Sequence, residues 1–113
     1  MVIDPSAFHE LQIIVGRNLA RAYAECGNNK EALTVIDECI ELALRCNYEY
    51  IIESLYVGKA YNMVNLASKG EGKDIDIGIA HEYLRQAYFL AAARCETGMM
   101  EQIKQIYNKY FKI

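Results

Sequence analysis

Helix-breaking residues are scarce in this sequence, which contains one proline and seven glycines. Tryptophan is absent. Because proline removes a backbone donor and glycine weakens regular structure, their scarcity favours long helices. No stretch reaches the roughly 20 consecutive apolar residues of a membrane span. Residues 1–10 also lack the charged-then-apolar layout of a signal peptide. We therefore expect a cytoplasmic protein without a membrane contact.

A basic surface is missing as well. Twelve Lys and Arg residues stand against fifteen Asp and Glu residues, which gives a net charge of −3 and a pI of about 5.4. Affinity for nucleic acid comes largely from Lys and Arg side chains that neutralise phosphates, so direct nucleic-acid binding by this chain is not expected. With 53% hydrophobic and 24% charged residues, the 113 residues are expected to form one globular domain.

The sequence has no motif typical of catalysis or of metal binding. Its four cysteines form no C-x-x-C pair, and its two histidines are not spaced to complete a zinc site. We therefore expect no enzymatic activity, no cofactor and no metal. Each cysteine falls near an apolar stripe and is predicted to be a buried reduced thiol, with disulfide or metal pairing as the alternatives. These cysteines are Cys26, Cys39, Cys46 and Cys95.

Apolar residues recur at helical spacing over five segments, and no alternating strand pattern competes with them. Asp4 followed by Pro5 predicts the start of the first helix. Gly27 predicts its end, because glycine adopts the left-handed conformation readily, and Asn29 is predicted to cap the second helix. Ser68 to Asp74 forms the clearest loop. The predicted helices cover about residues 5–26, 30–46, 48–68, 76–95 and 97–111.

Three of these helices have informative apolar faces. The third is apolar on more than one side, which predicts that it lies between neighbours. The first carries a stripe that is predicted to be buried and comprises Phe8, Leu11, Val15, Leu19, Ala22 and Cys26. The apolar face of the fifth comprises Met100, Ile103, Ile106, Tyr107, Tyr110 and Phe111.

The first two predicted helix pairs share an ordered pattern: a small residue, Tyr three positions later, then Ala, a large apolar residue and another small residue. Tyr23 and Ala32 are nine residues apart, whereas Tyr61 and Ala80 are nineteen apart, so the second unit carries about ten extra residues. The pattern comprises Leu19, Ala20, Tyr23, Gly27, Ala32, Ile36 and Cys39 in the first pair. In the second pair it comprises Val57, Gly58, Tyr61, Ala80, Leu84 and Ala87.

This pattern resembles the tetratricopeptide repeat over about residues 13–95. The chain departs from the family at its tryptophan-type position, occupied here by Gly16 and Ser54, and at the closing proline, occupied by Leu44. The resemblance implies an all-α domain over residues 1–113, with antiparallel helical hairpins stacked as a short right-handed superhelix. It implies repeats over about 5–46 and 48–95 and a C-terminal capping helix over about 97–111.

Two longer segments, LARAYAECGNNKEALTVIDECIELA and AYFLAAARCETGMMEQIKQIYNKYFKI, resemble the C-terminal region of bacterial helix-turn-helix transcription regulators. That group includes peptide-pheromone sensors whose tetratricopeptide-like repeats bind a signalling peptide and dimerise. The resemblance implies a regulatory module that binds a peptide or protein and forms a homodimer. Whether the chain is a fragment of such a regulator or a stand-alone relative stays open.

In tetratricopeptide folds the first helix of each pair lines a ligand groove. Carrying those positions over predicts a peptide-binding strip of Arg17, Asn18, Arg21, Lys59 and Asn62. Arg supplies fork-like donors for a carboxylate and Asn can pair with a peptide backbone, which suits a peptide with an acidic group or a free C-terminus. The alternative is that these side chains are solvated surface or pair with a nearby Glu.

Two other functions stay open at this point. A stand-alone adaptor would act mainly through homodimerisation by the fifth helix, with Tyr107, Tyr110 and Phe111 in the interface. A helical enzyme of the phosphatase type would need a cluster of strongly perturbed acids in one site.

Overall fold

The computed structural model describes residues 5–72 and 74–111, and these fold into five α-helices without any strand. The predicted all-α class and the five helices are confirmed. Asp4, the predicted first cap, lies outside the described residues, as does Lys73 of the predicted loop. The helices are α1 Pro5–Glu25, α2 Asn29–Arg45, α3 Glu49–Ser68, α4 Ile77–Ala93 and α5 Thr97–Tyr110.

Four of the helices end in the same left-handed turn. Gly27, Asn47, Gly70 and Cys95 all have positive φ angles, between 57° and 81°. In each turn the next residue donates its backbone N–H to a carbonyl five positions earlier, over 2.8–3.0 Å. This bond satisfies a carbonyl that the helix end would otherwise leave unpaired, and it reverses the chain within a few residues.

The start of α2 differs from the prediction. Asn28 is the N-cap residue and forms no side-chain capping bond, whereas Asn29 is the first residue of the helix. The prediction that Asn29 caps the helix is therefore wrong. Its side chain is buried and bonds instead to α3.

Each helix runs antiparallel to the next one along the chain. His9 near the start of α1 contacts Cys46 just after α2, with Nδ1 and Sγ 3.5 Å apart. Between α3 and α4, Glu53 near the start of α3 meets Arg94 just after α4. The connections between consecutive helices are at most eight residues long, so consecutive helices pack side by side and run in opposite directions.

The helices alternate between two layers. α3 contacts α1, α2, α4 and α5, whereas no Cα atoms of α2 and α4 lie within 8 Å of each other in the described part of the chain. The first layer therefore contains α1, α3 and α5, and the second contains α2 and α4. The prediction that the third helix lies between neighbours is confirmed.

Two clusters of buried side chains meet at α3. The first cluster lies among α1, α2 and the start of α3 and includes Ile13, Ile36 and Leu55. The second lies among the rest of α3, α4 and α5 and includes Leu84 and Ile103. α1 and α2 thus form the first cluster with one side of α3, and α4 and α5 form the second cluster with the rest of α3.

The predicted buried stripe of α1 is wrong, because its large side chains face outward. Phe8, Leu11, Val15 and Leu19 are between 46% and 58% exposed. The other side of α1 packs on α2, where Gly16 approaches so closely that a Cβ atom would lie 2.5 Å from Cys39 Sγ. Small residues let helices pack tightly, so the side of α1 with small residues forms the contact. We refer to the outward set, Phe8, Leu11, Val15, Leu19, Ala22 and Cys26, as the outer stripe.

The cysteine prediction holds for only part of the set. All four cysteines are free thiols, and Cys39 is buried between α1 and α2. Cys46 is partly buried, whereas Cys26 and Cys95 are exposed. The exposed pair lies at helix ends, where the left-handed turns bring the chain to the surface.

Candidate functional site

A groove opens on the layer formed by α1, α3 and α5. Its volume is about 350 Å³, within the usual range for ligand sites. Arginines of α1 lie at one side, α5 lies at the other, and apolar side chains of α3 lie between them. The residues that line this α1–α3–α5 groove are Arg17, Ala20, Arg21, Ala24, Glu25, Ile36, Ser54, Leu55, Val57, Gly58, Tyr61, Asn62, Met99, Gln102 and Ile106.

Arg17 and Arg21 lie on one side of this groove, one helical turn apart. Neither guanidinium forms an ion pair within the described residues. The Nε atom of Arg17 is buried and has no hydrogen-bond partner in that part of the chain. A buried donor without a partner is costly, so an acceptor that reached this atom would relieve that cost. Glu25 is the single carboxylate among the groove residues.

Two of the five predicted strip residues do not line the groove. Asn18 is exposed. Lys59 lies between α2 and α4, where its Nζ is 2.8 Å from Asp37 Oδ1 and 4.7 Å from the centre of the Tyr83 ring. Burial alone would lower the pKa of Lys59, but its bonds to Asp37 and Tyr83 raise that pKa above its ordinary value. Its charge is thus already engaged within the fold.

Asn62 lines the groove, but its side chain is 2% exposed and its amide is used inside the fold. Its Nδ2 donates to the carbonyl of Gly58 over 2.8 Å, and its Oδ1 accepts from Asn29 Nδ2 over 2.8 Å. Lys69 completes the network by donating to Asn29 Oδ1 over 2.7 Å. This network holds the turn between α1 and α2 against the end of α3, beside the groove.

Replacing Asn62 by alanine is expected to destabilise the protein by about 1–3 kcal/mol, because the buried Asn29 amide loses its acceptor. The free energy of unfolding, measured by urea denaturation, tests this. The matched control is Asn108→Ala on α5, which removes an exposed amide and should change stability by less than about 0.5 kcal/mol. Equal effects of the two substitutions would show that the network contributes nothing.

The sequence did not indicate that α5 would line the groove. Met99, Gln102 and Ile106 of α5 do so, together with Ser54 and Tyr61 of α3. The spacing of the α5 residues by three and four places them on one side of the helix. Met99 and Gln102 lie outside the apolar face predicted for the fifth helix, and only Ile106 belongs to both sets.

The buried carboxylate of Glu53 anchors α3. Glu53 directly precedes the groove residue Ser54 in the sequence. Glu53 is 1% exposed, its Oε1 pairs with the guanidinium of Arg94, and its Oε2 has no partner in the described residues. Burial and the neighbouring carboxyl of Glu96 raise the pKa of Glu53, whereas Arg94 opposes the rise. The contact ties the start of α3 to the turn between α4 and α5.

The raised pKa of Glu53 gives stability a defined pH dependence. The folded protein holds this proton more tightly than the unfolded chain, so acidification from pH 7 towards the ordinary value of 4.5 adds stability through this group. The stability of the parent relative to Glu53→Gln is therefore expected to increase as the pH falls. Urea denaturation of both proteins at pH 7, 6 and 5 measures that difference. A difference that is constant, or that shrinks on acidification, would contradict the expectation.

The aromatic side chains at the end of α5, and Phe111 directly after it, are engaged within the chain. Tyr107 donates to the carbonyl of His81 over 3.3 Å, and Tyr110 donates to Asn65 Oδ1 over 2.7 Å. The ring of Phe111 packs against that of His81 with centres 5.5 Å apart. All three aromatics are partly buried, and they do not form an exposed patch.

No protein-family model, curated protein or solved structure matches this chain. The tetratricopeptide resemblance therefore rests on the residues repeated in its two hairpins. Within residues 5–72 and 74–111, no three or more His, Cys, Asp or Glu side chains are grouped to hold a metal ion. None of the helices described there has the length and apolar character that crossing a membrane requires.

Proposed function

We propose that this chain is a peptide- or protein-binding module that binds its ligand in the α1–α3–α5 groove. The observation that carries the proposal is the pair Arg17 and Arg21, two cations without ion-pair partners in the described residues, beside an apolar groove. A surface arginine is usually solvated, but Arg17 has a buried Nε atom that lacks a partner. Its solvation is therefore incomplete until an acceptor arrives.

The preferred ligand is an extended peptide with a carboxylate, either an acidic side chain or a free C-terminus. Arg17 and Arg21 can bind both carboxylate oxygens through charge-assisted hydrogen bonds. Tyr61 and Met99, whose side chains are accessible in the groove, supply apolar surface for a neighbouring side chain. This combination of an apolar floor and a few polar groups fixes both affinity and orientation.

The chain is further proposed to be the regulatory domain of a bacterial transcription regulator, with its hairpins stacked as a tetratricopeptide-like right-handed superhelix. Support comes from the alternation of helices between two layers and from a groove on the layer of α1, α3 and α5, which contains the first helix of each pair. In this role the chain is cytoplasmic, forms a homodimer and does not catalyse a reaction. Its acidic balance leaves contact with DNA to another part of the regulator.

The adaptor alternative, in which α5 joins two copies, has weaker support. Its candidate contacts, Tyr107, Tyr110 and Phe111, already pack against α3 and α4. A second copy would have to displace those contacts or use other residues.

Fluorescence anisotropy with labelled hexapeptides tests the proposed ligand class. One peptide of mixed apolar and acidic residues is compared with its C-terminal amide and with the version in which Asn and Gln replace its acids. We expect saturable binding of the acidic peptide, weakened by salt and by loss of each carboxylate. Equal affinity for all versions, or no binding of any, would contradict the proposal.

A further inference from the structure

The outer stripe is an apolar surface that no part of the described chain covers. Its six residues recur every three or four positions from Phe8 to Cys26, a length of about 27 Å at 1.5 Å per helical residue. The buried side of α1, with Ile13 and Ala20, points the opposite way towards α2 and α3. The stripe therefore forms the outer end of the stack of helices.

The outer stripe contains no charged residue. On the helical projection its positions span an arc of about 80°, flanked by the uncharged Asn18 and Gln12. The four charged residues of α1 all lie beyond Asn18, towards the groove. They are Glu10, Arg17, Arg21 and Glu25. A second α1 could therefore approach this face without burying a charge, which would otherwise be strongly unfavourable.

The area of the outer stripe suits a dimer of moderate size. The exposed parts of its four large side chains add up to about 400 Å², comparable with the largest patches on typical monomers. Two copies face to face would bury about twice that area. With Ala22, Cys26, Gln12 and Asn18 added, the total approaches about 1,200 Å², where stable interfaces begin.

The order of side chains along the stripe selects an antiparallel arrangement. In an antiparallel dimer, residues whose position numbers add up to about the same value lie opposite each other. Phe8 with Cys26, Leu11 with Ala22 and Val15 with Leu19 all add up to 33 or 34, so these pairs face each other. Each end then places a large side chain against a small one, and two medium side chains meet at the centre. A two-fold axis near position 17 generates this pairing, so one surface is complementary to itself.

We propose that two copies of this chain associate through their α1 helices, antiparallel, with the outer stripes in contact. The proposal deepens the self-association within the proposed function and moves it from α5 to α1. It depends on the outer stripe and not on the groove. Peptide affinity and dimerisation can therefore fail separately.

Analytical ultracentrifugation over a wide concentration range, in reducing agent, tests the association. The parent chain is expected to dimerise, while Val15→Asp and Leu19→Lys should each raise the dimer dissociation constant at least about 100-fold, because each buries charges opposite an apolar side chain. Leu44→Lys is the matched control. It introduces a charge at a leucine of α2 that is 56% exposed, and should leave the dimer intact.

Mixing the Val15→Asp and Leu19→Lys proteins tests the register. In the antiparallel pairing the new carboxylate meets the new ammonium group, so the mixture should form a dimer although neither protein does so alone. In a parallel pairing position 15 meets position 15, so the new carboxylate and ammonium group are not opposite each other and mixing gives a much smaller recovery. A parent chain that is monomeric at every concentration, or a dimer unaffected by both substitutions, would overturn the proposal. A parent dimer without recovery on mixing would overturn its register.

Circular dichroism and peptide affinity of the same variants separate loss of association from loss of folding. Both positions are exposed in the single chain, so helix content is expected to stay unchanged. Peptide affinity should stay within about twofold, because neither Val15 nor Leu19 lines the groove.

Discussion

Replacing Arg17 and Arg21 together by glutamate is expected to lower affinity for an acidic peptide at least about 100-fold, because two charge-assisted hydrogen-bond donors become two repelling carboxylates. Both positions line the groove, and neither arginine has an ion-pair partner to lose in the described residues. Neither substitution therefore breaks an ion pair of the fold. Anisotropy titration with the acidic hexapeptide measures the change, and circular dichroism checks the fold.

The control for this variant is Lys30→Glu combined with Arg45→Glu. It changes the net charge by the same amount, but it acts on exposed positions of α2 that do not line the groove. Long-range electrostatics alone would lower peptide affinity similarly in both variants, particularly at low salt. A groove-specific contact requires a much larger effect from the α1 variant at physiological ionic strength.

Replacing Leu84 by alanine is expected to lower the free energy of unfolding by about 2–5 kcal/mol. Leu84 is completely buried on α4 within the cluster that joins α3 and α5. Its removal leaves a cavity that neighbouring helices fill incompletely. Urea denaturation followed by circular dichroism at fixed pH measures the loss.

Leu44→Ala provides the matched comparison, because the same atoms are removed from an exposed side chain of α2. Its effect should be less than about 0.5 kcal/mol. Similar losses for both variants would show that the buried cluster of α3, α4 and α5 is not packed as described. A small loss for Leu84→Ala alone would contradict the same point.

The helices could be predicted from the sequence because their signals are local. Apolar spacing and a glycine at the end of α1 predicted five segments, and the described bounds differ from the predicted ones by at most two residues at each end. The end of α4 was harder to place, because Cys95 adopts a positive φ angle that side-chain-bearing residues rarely take. Composition gives no sign of that turn.

Which side of α1 is buried depends on its contact with α2, and the apolar pattern of α1 alone gives no information on that contact. Both sides are apolar, and the larger side chains suggested the wrong one. The buried side is decided by how closely α2 can approach, and Gly16 opposite Cys39 permits the closer contact. The small residues of α1, and not its largest apolar side chains, therefore determine which side of the helix is buried.

The candidate site could likewise be predicted only in part from the sequence. Arg17 and Arg21 line the groove because the first helix of the hairpin presents them one turn apart. Lys59 does not, because it pairs with Asp37 of α2, a partner 22 positions earlier in the chain. Partners this distant, like the groove contribution of Gln102, depend on helix packing and not on local spacing.

The most direct test of the binding groove is an amide ¹H–¹⁵N correlation spectrum of the isotopically labelled chain, titrated with the acidic hexapeptide. We expect shifts that saturate together and concentrate at groove positions on all three helices, among them Arg21, Ser54 and Gln102. Shifts confined to α2 and α4, or to the outer stripe, would contradict this expectation.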